Sequence, residues 1–113
     1  MRQLTHPKIE DITVEGILYA LGDPARARIF IALANSQSPQ SCSNFVNLND
    51  KQLPKSTLSH HFKVLRESGL ITSTRKGVEL QNTTRCSEFK DKYGAMISTI
   101  ILAFLEQEQL KEP

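Results

Sequence analysis

Cysteine is scarce in this 113-residue chain, which has only Cys42 and Cys86. Two thiols are too few for a disulfide scaffold and fit a reducing compartment. No apolar run approaches the ~20 residues of a transmembrane helix, which excludes a helical membrane span. The opening stretch Met-Arg-Gln-Leu-Thr-His-Pro lacks the apolar core of a signal peptide, so the expected location is the cytoplasm. Also missing are a glycine-rich phosphate loop, a nucleophile elbow and a His/Glu metal motif. Ser59 beside His60 is no catalytic dyad, because consecutive helical residues diverge by ~100°. An enzyme is not expected.

What is present suits one domain with one core. The hydrophobic fraction of 39% and charged fraction of 23% are ordinary for a globular protein. The net charge of +2 is unevenly spread. Residues 1 to 50 hold four Lys/Arg against five Asp/Glu, and residues 86 to 113 hold three against five. Residues 51 to 85 hold seven (Lys51, Lys55, Lys63, Arg66, Arg75, Lys76, Arg85) against Glu67 and Glu79. A basic third inside a near-neutral chain is an electrostatic footprint for phosphate.

Residues 1 to 8 read as a polar, flexible leader, followed by a single domain over 9–110. Ile9, Ile12, Ile17, Leu18 and Leu21 recur at helical spacing and predict a first helix from Ile9 to Leu21, ended by Gly22. Asp23 then caps a second helix with Pro24 at its first position, where a missing N–H costs nothing. That helix is expected to run to about Ala34, with Ile29, Phe30 and Leu33 inward and Arg26 and Arg28 outward. Asn35 to Gln40 is a loop by composition. A short helix from about Ser41 to Leu48 would put Cys42, Phe45 and Val46 against the core. Asn47 to Pro54 is a turn that cannot continue it.

The stretch Lys55 to Val64, Lys-Ser-Thr-Leu-Ser-His-His-Phe-Lys-Val, carries the strongest signal. On a helix, Leu58, Phe62 and Leu65 form a buried stripe, while Ser56, Ser59, His60 and Lys63 cluster opposite within roughly 100°. No carboxylate falls on that polar face. A merely solvated face usually mixes Glu with Lys, whereas short donors and acceptors backed by a cation suit base edges and phosphates. An ordinary amphipathic helix is the alternative. The helix, predicted over about 55–68, ends at Gly69, a good residue for the position after a helix. Helix, turn and second helix with hydroxyls near its start is the helix-turn-helix layout.

Past Gly69 the period changes. Leu70 to Arg75 and Val78 to Thr83 read as strands separated by Lys76-Gly77, a hairpin with Arg75 and Lys76 at its tip. Following a recognition helix, this hairpin (about 70–84) is a wing able to reach phosphates or the minor groove. An exposed hairpin with solvated basic residues is the alternative. The last helix, about 86–110, carries Phe89, Tyr93, Met96, Ile97, Ile100, Ile101, Ala103 and Phe104 over nearly half its circumference, with Gly94 as a possible kink. That width exceeds one core face and, with the first helix, suggests a two-fold dimer interface. The alternative is a helix wrapped into its own monomer. The predicted class is therefore mostly α with a small β-hairpin: a winged helix-turn-helix with terminal helices pairing two copies.

This order of elements, the string Leu21-Gly22-Asp23-Pro24-Ala25-Arg26-Ala27-Arg28-Ile29, and more specifically Ser56 through Ile71 and Arg75-Lys76-Gly77-Val78, resemble the ArsR-type (arsenical-resistance-repressor-like) winged-helix regulators over roughly residues 12 to 105. The resemblance implies a homodimeric bacterial transcriptional regulator, usually a repressor, that binds an imperfect palindrome in double-stranded DNA and releases it when an inducer arrives. By the same resemblance Ser56, Thr57, Ser59 and His60 would read bases and Lys55 and Lys63 would hold phosphate, with Arg75 and Lys76 on the wing. His61, close to Leu58 on the wheel, reads as a hydrogen-bonded residue at the core edge.

Many members of that family sense metals. One family site uses Cys-x-Cys on the first helix of the motif, where this chain reads Ser41-Cys42-Ser43. Another uses Asp and His on the last helix, which has no histidine here. A soft-metal site needs about three or four convergent ligands, so no metal or other cofactor is expected and Cys42 reads as a small core residue. Two other functions fit the fold: a redox-sensing regulator using Cys42 and Cys86, and an interaction module without DNA binding.

Overall fold

The computed structural model describes residues 4–46 and 52–111. Its helices are α1 (Val14–Leu21), α2 (Pro24–Asn35), α3 (Lys55–Glu67) and α4 (Cys86–Lys111), and its strands are β1 (Gln40–Ser41), β2 (Ile71–Lys76) and β3 (Glu79–Thr84). Short 3-10 turns occupy Ile9–Asp11 and Cys42–Phe45. The strands form one antiparallel sheet in the order β1-β3-β2. The expected hairpin therefore gains a third strand from the end of the predicted loop, with Gln40 opposite Asn82 and Ser41 opposite Gln81.

The first helix is shorter than its apolar spacing suggests. Thr13 adopts an extended conformation and its hydroxyl accepts the Gly16 N–H at 3.0 Å, so the helix starts at Val14. Ile12, left in extended backbone, still buries its side chain in the core. Asp23 caps α2 as expected, accepting the Ala25 N–H at 2.8 Å and the Arg26 N–H at 3.3 Å. The predicted helix from Ser41 to Leu48 reduces to the turn Cys42–Phe45; Asn47 and Leu48, with most of the predicted turn, lie outside the described residues.

The core joins every layer: Ile17 from α1, Ile29 and Phe30 from α2, Phe62 and Leu65 from α3, Leu70 and Ile71 at the sheet, and Phe89 and Tyr93 from α4. Gly69 sits where α3 turns into β2, with φ +89°, and a Cβ there would lie 2.5 Å from the Ile12 side chain. Left-handed backbone and close packing both demand glycine at this point. Gly77, φ +65°, serves the two-residue turn between Lys76 and Glu79. α4 runs unbroken through Gly94. No helix of the described residues is long and apolar enough to cross a membrane.

One predicted orientation is also corrected. Arg26, predicted to face outward, is 93% buried (7% exposed). Its Nε donates to the Ala20 carbonyl at 2.8 Å and its Nη2 to the Tyr19 carbonyl at 3.1 Å, so the guanidinium satisfies carbonyls that the end of α1 leaves open. Where it is described, the leader makes two polar contacts: His6 Nε2 accepts the Ser73 N–H at 3.0 Å, and Arg85 donates to the Pro7 carbonyl at 2.8 Å.

Candidate nucleic-acid interface

The helix α3 is divided cleanly between core and solvent. Leu58, His61, Phe62, Val64 and Leu65 are buried, and Phe62 packs its ring 5.6 Å from that of Phe45. Lys55, Ser56, Ser59, His60 and Lys63 are exposed, with Thr57 half-buried in the first turn. Pro54 precedes the helix and supplies no side-chain cap, so the first turn presents its N–H groups beside Ser56 and Thr57.

His61 takes the structural place expected of it. Its Nδ1 lies 3.3 Å from Arg26 Nη1, and because a guanidinium only donates, Nδ1 is the unprotonated nitrogen. Burial, with Arg26 nearby, pushes its pKa below the usual histidine value against the opposing pull of Asp23. The neighbouring His60 ring stands 6.3 Å away on the solvent side.

The wing brings Arg75 and Lys76 to the exposed end of β2, in register with Leu80 and Glu79. Arg75 shares a surface cavity of about 350 Å³ with Lys55 and Ser59, so wing and α3 converge on one cleft. Lys76 lines a second surface recess, with Arg75, Thr74 and Gln81. Among the described residues Lys55, Lys63, Arg75 and Lys76 form no salt bridge, whereas Arg26, Arg28 and Arg85 do.

A buried polar network behind this surface was not anticipated. Asn82, fully enclosed on β3, accepts the Ser73 hydroxyl at 2.6 Å and donates to the Gln40 carbonyl at 3.0 Å. Arg66 of α3 donates to the same Ser73 hydroxyl at 3.3 Å. The network thus ties β1, both wing strands and α3 together. An asparagine in mid-strand was the available signal, since Asn is depleted in strands.

Cys42 is half-buried beside Asn82, with its Sγ 3.8 Å from Nδ2, and burial pushes the thiol pKa up. A protonated thiol is a weak nucleophile, which disfavours Cys42 as a redox sensor. Cys86 is exposed at the start of α4. Among the described residues no three His, Cys, Asp or Glu side chains gather as metal ligands.

A helix-turn-helix domain family matches residues 21–74, the segment from the end of α1 into β2. An HTH-type transcriptional regulator of Methanocaldococcus jannaschii is 31% identical over 61 residues, which cover 54% of this chain and 65% of the relative. Among solved structures, an ArsR family transcriptional regulator superposes with a TM-score of 0.60 at 20% identity, covering 88% of this chain and 98% of its own. An ArsR-like transcriptional regulator from Rhodococcus sp. RHA1 gives 0.56 at 20% identity, covering 88% and 93%. Residues 21–74 thus match the helix-turn-helix domain family, and the chain has the winged helix-turn-helix fold of the ArsR-family regulators to which it is similar.

Proposed function

We propose that the protein is a cytoplasmic, homodimeric, sequence-specific DNA-binding transcriptional regulator, acting as a repressor on a palindromic operator. The observation that carries this reading is the outer face of α3. It holds hydroxyls, one imidazole and unpaired cations, with no carboxylate before Glu67. In this reading α3 enters the major groove, Ser56, Thr57, Ser59 and His60 meet base edges, and Lys55 and Lys63 hold the flanking phosphates. Arg75 and Lys76 reach phosphates or the minor groove beside it.

Support for the dimer comes from apolar side chains left in solvent on the terminal helices. Val14, Leu18 and Tyr19 of α1 and Leu102, Leu105 and Leu110 of α4 are all at least 40% exposed. Selection from a random duplex pool tests the function. A palindromic consensus whose affinity falls steeply with salt is the expected result. Failure to enrich any sequence, with no binding to duplex at low ionic strength, would overturn it.

A further inference from the structure

The cavity between α3, the Cys42–Phe45 turn and the wing is more than a gap between DNA-facing elements. Its inner wall is apolar, built from Cys42, Val46, Leu58 and Leu80, and Lys55 and Arg75 stand with Glu79 among its other lining groups. Arg75 and Leu80 are direct cross-strand partners, so a cation and an aliphatic side chain share one face of the hairpin. Ser59 adds a hydroxyl from α3. A nucleic-acid backbone has no apolar body with which to cover Val46, Leu58 and Leu80. The volume of about 350 Å³ is near the lower end of small-molecule sites.

We propose that this cavity binds a small amphipathic organic anion, a carboxylate or phosphate monoester whose head meets Lys55 and Arg75 and whose hydrocarbon body lies against Val46, Leu58 and Leu80. Neither cation is spent on an ion pair among the described residues, and the two outnumber the single carboxylate of Glu79. Lys55, Ser59 and Arg75 are also residues of the proposed DNA surface. An occupant would therefore withdraw them from DNA, a consequence that rests on the function proposed above.

The test titrates the isotopically labelled full chain, without DNA, with octanoate and hexyl phosphate and with their neutral counterparts octanamide and hexanol. The anions should shift the methyl signals of Val46, Leu58, Val78 and Leu80 saturably. Arg75→Gln should weaken them about tenfold, as expected for loss of one charge-assisted hydrogen bond, without changing the melting temperature. Ser43→Phe, an exposed position on the cavity wall, should block the shifts while keeping both cations. Preference of one anion over the other identifies the head group. No saturable shift, equal binding of neutral compounds, or shifts centred on α1 and the end of α4 would overturn the site.

A second arm adds the selected duplex, and saturating anion should lower its affinity. A chain that binds the anions but no duplex would sink the DNA reading and leave the cavity standing. Unchanged duplex affinity with the cavity filled would overturn the shared use of Lys55, Ser59 and Arg75.

Discussion

His60 and His61 are adjacent in the chain but have opposite surroundings. His61 is buried against Arg26, its pKa lowered first by that burial and its Nδ1 used as an acceptor. His60 is exposed, in line with Ser56, Ser59 and Lys63. Removing an exposed side chain leaves the core intact, so His60→Ala should fold normally and lose discrimination rather than stability. The expected cost is about 1–3 kcal/mol on the selected sequence, with little change on random duplex. Lys76→Ala, at the wing tip, should instead weaken all duplexes alike and make the salt slope shallower by ~1 unit. Anisotropy titrations of both variants against selected and random DNA separate the two roles. Equal losses on both DNAs for both variants would dissolve the division into readers and grippers.

The wing is held at its base by polar bonds rather than by packing alone. The Ser73 N–H donates to His6 Nε2, so this imidazole must be unprotonated at Nε2 for the leader to dock. Burial, and then the charges of Arg66 and Arg85, push the His6 pKa below the ordinary 6.5, with Glu88 opposing. A base whose folded pKa is lowered takes up protons more readily when unfolded. Its contribution to stability is therefore complete above about 6.5 and is lost as pH falls towards the lowered folded value. His61 adds to the same trend. The melting temperature should fall between about pH 7.5 and 5.5, where most carboxylates, with ordinary pKa values near ~4, remain ionised. His6→Gln keeps an acceptor without the titration and should flatten part of that fall; parallel melting curves would show that the docked leader plays no part. None of this was legible from local pattern. Lys55–Glu67 and the hairpin announce themselves because helical stripe, Gly69 and Gly77 are all short-range signals. Arg26 reads as solvent-facing because its bonds to the Ala20 and Tyr19 carbonyls depend on how α1 and α2 meet and its contact with His61 spans 35 residues, and Asn82 meets Gln40 across 42. Such pairs exist only after the chain has folded. The first helix is shorter than its spacing predicts for a different reason: periodicity counts Ile12 as helical, while the cap at Thr13 leaves it extended and buried.

A single copy of this fold presents one α3, and a palindrome needs two at a fixed separation. With α3 of each protomer in successive major grooves, half-sites should lie about 34–36 Å apart. The surface proposed to set that spacing is the exposed apolar part of α1 and α4. At its N-terminal end α4 is anchored by Phe89, Tyr93 and Ile97, and the Tyr93 hydroxyl donates to the Ile12 carbonyl at 2.7 Å. Farther along it is steadied by the Arg28–Glu108 pair, with Arg28 over the Phe104 ring at 5.8 Å. The Arg28 contacts hold α4 against α2 while Leu102 and Leu105 remain 62% and 40% exposed. The double substitution Leu18→Glu with Leu102→Glu places like charges on that surface without opening the protomer core. Sedimentation should show a dimer for the unmodified chain and a monomer for the variant, with similar far-ultraviolet circular dichroism. Affinity for a two-half-site duplex should fall ~10²–10⁴-fold as the second binding event ceases to be intramolecular, while affinity for a single half-site stays the same. A variant that still sediments as a dimer would move the interface elsewhere, and equal losses on both duplexes would mean that the substitutions had damaged α3 itself.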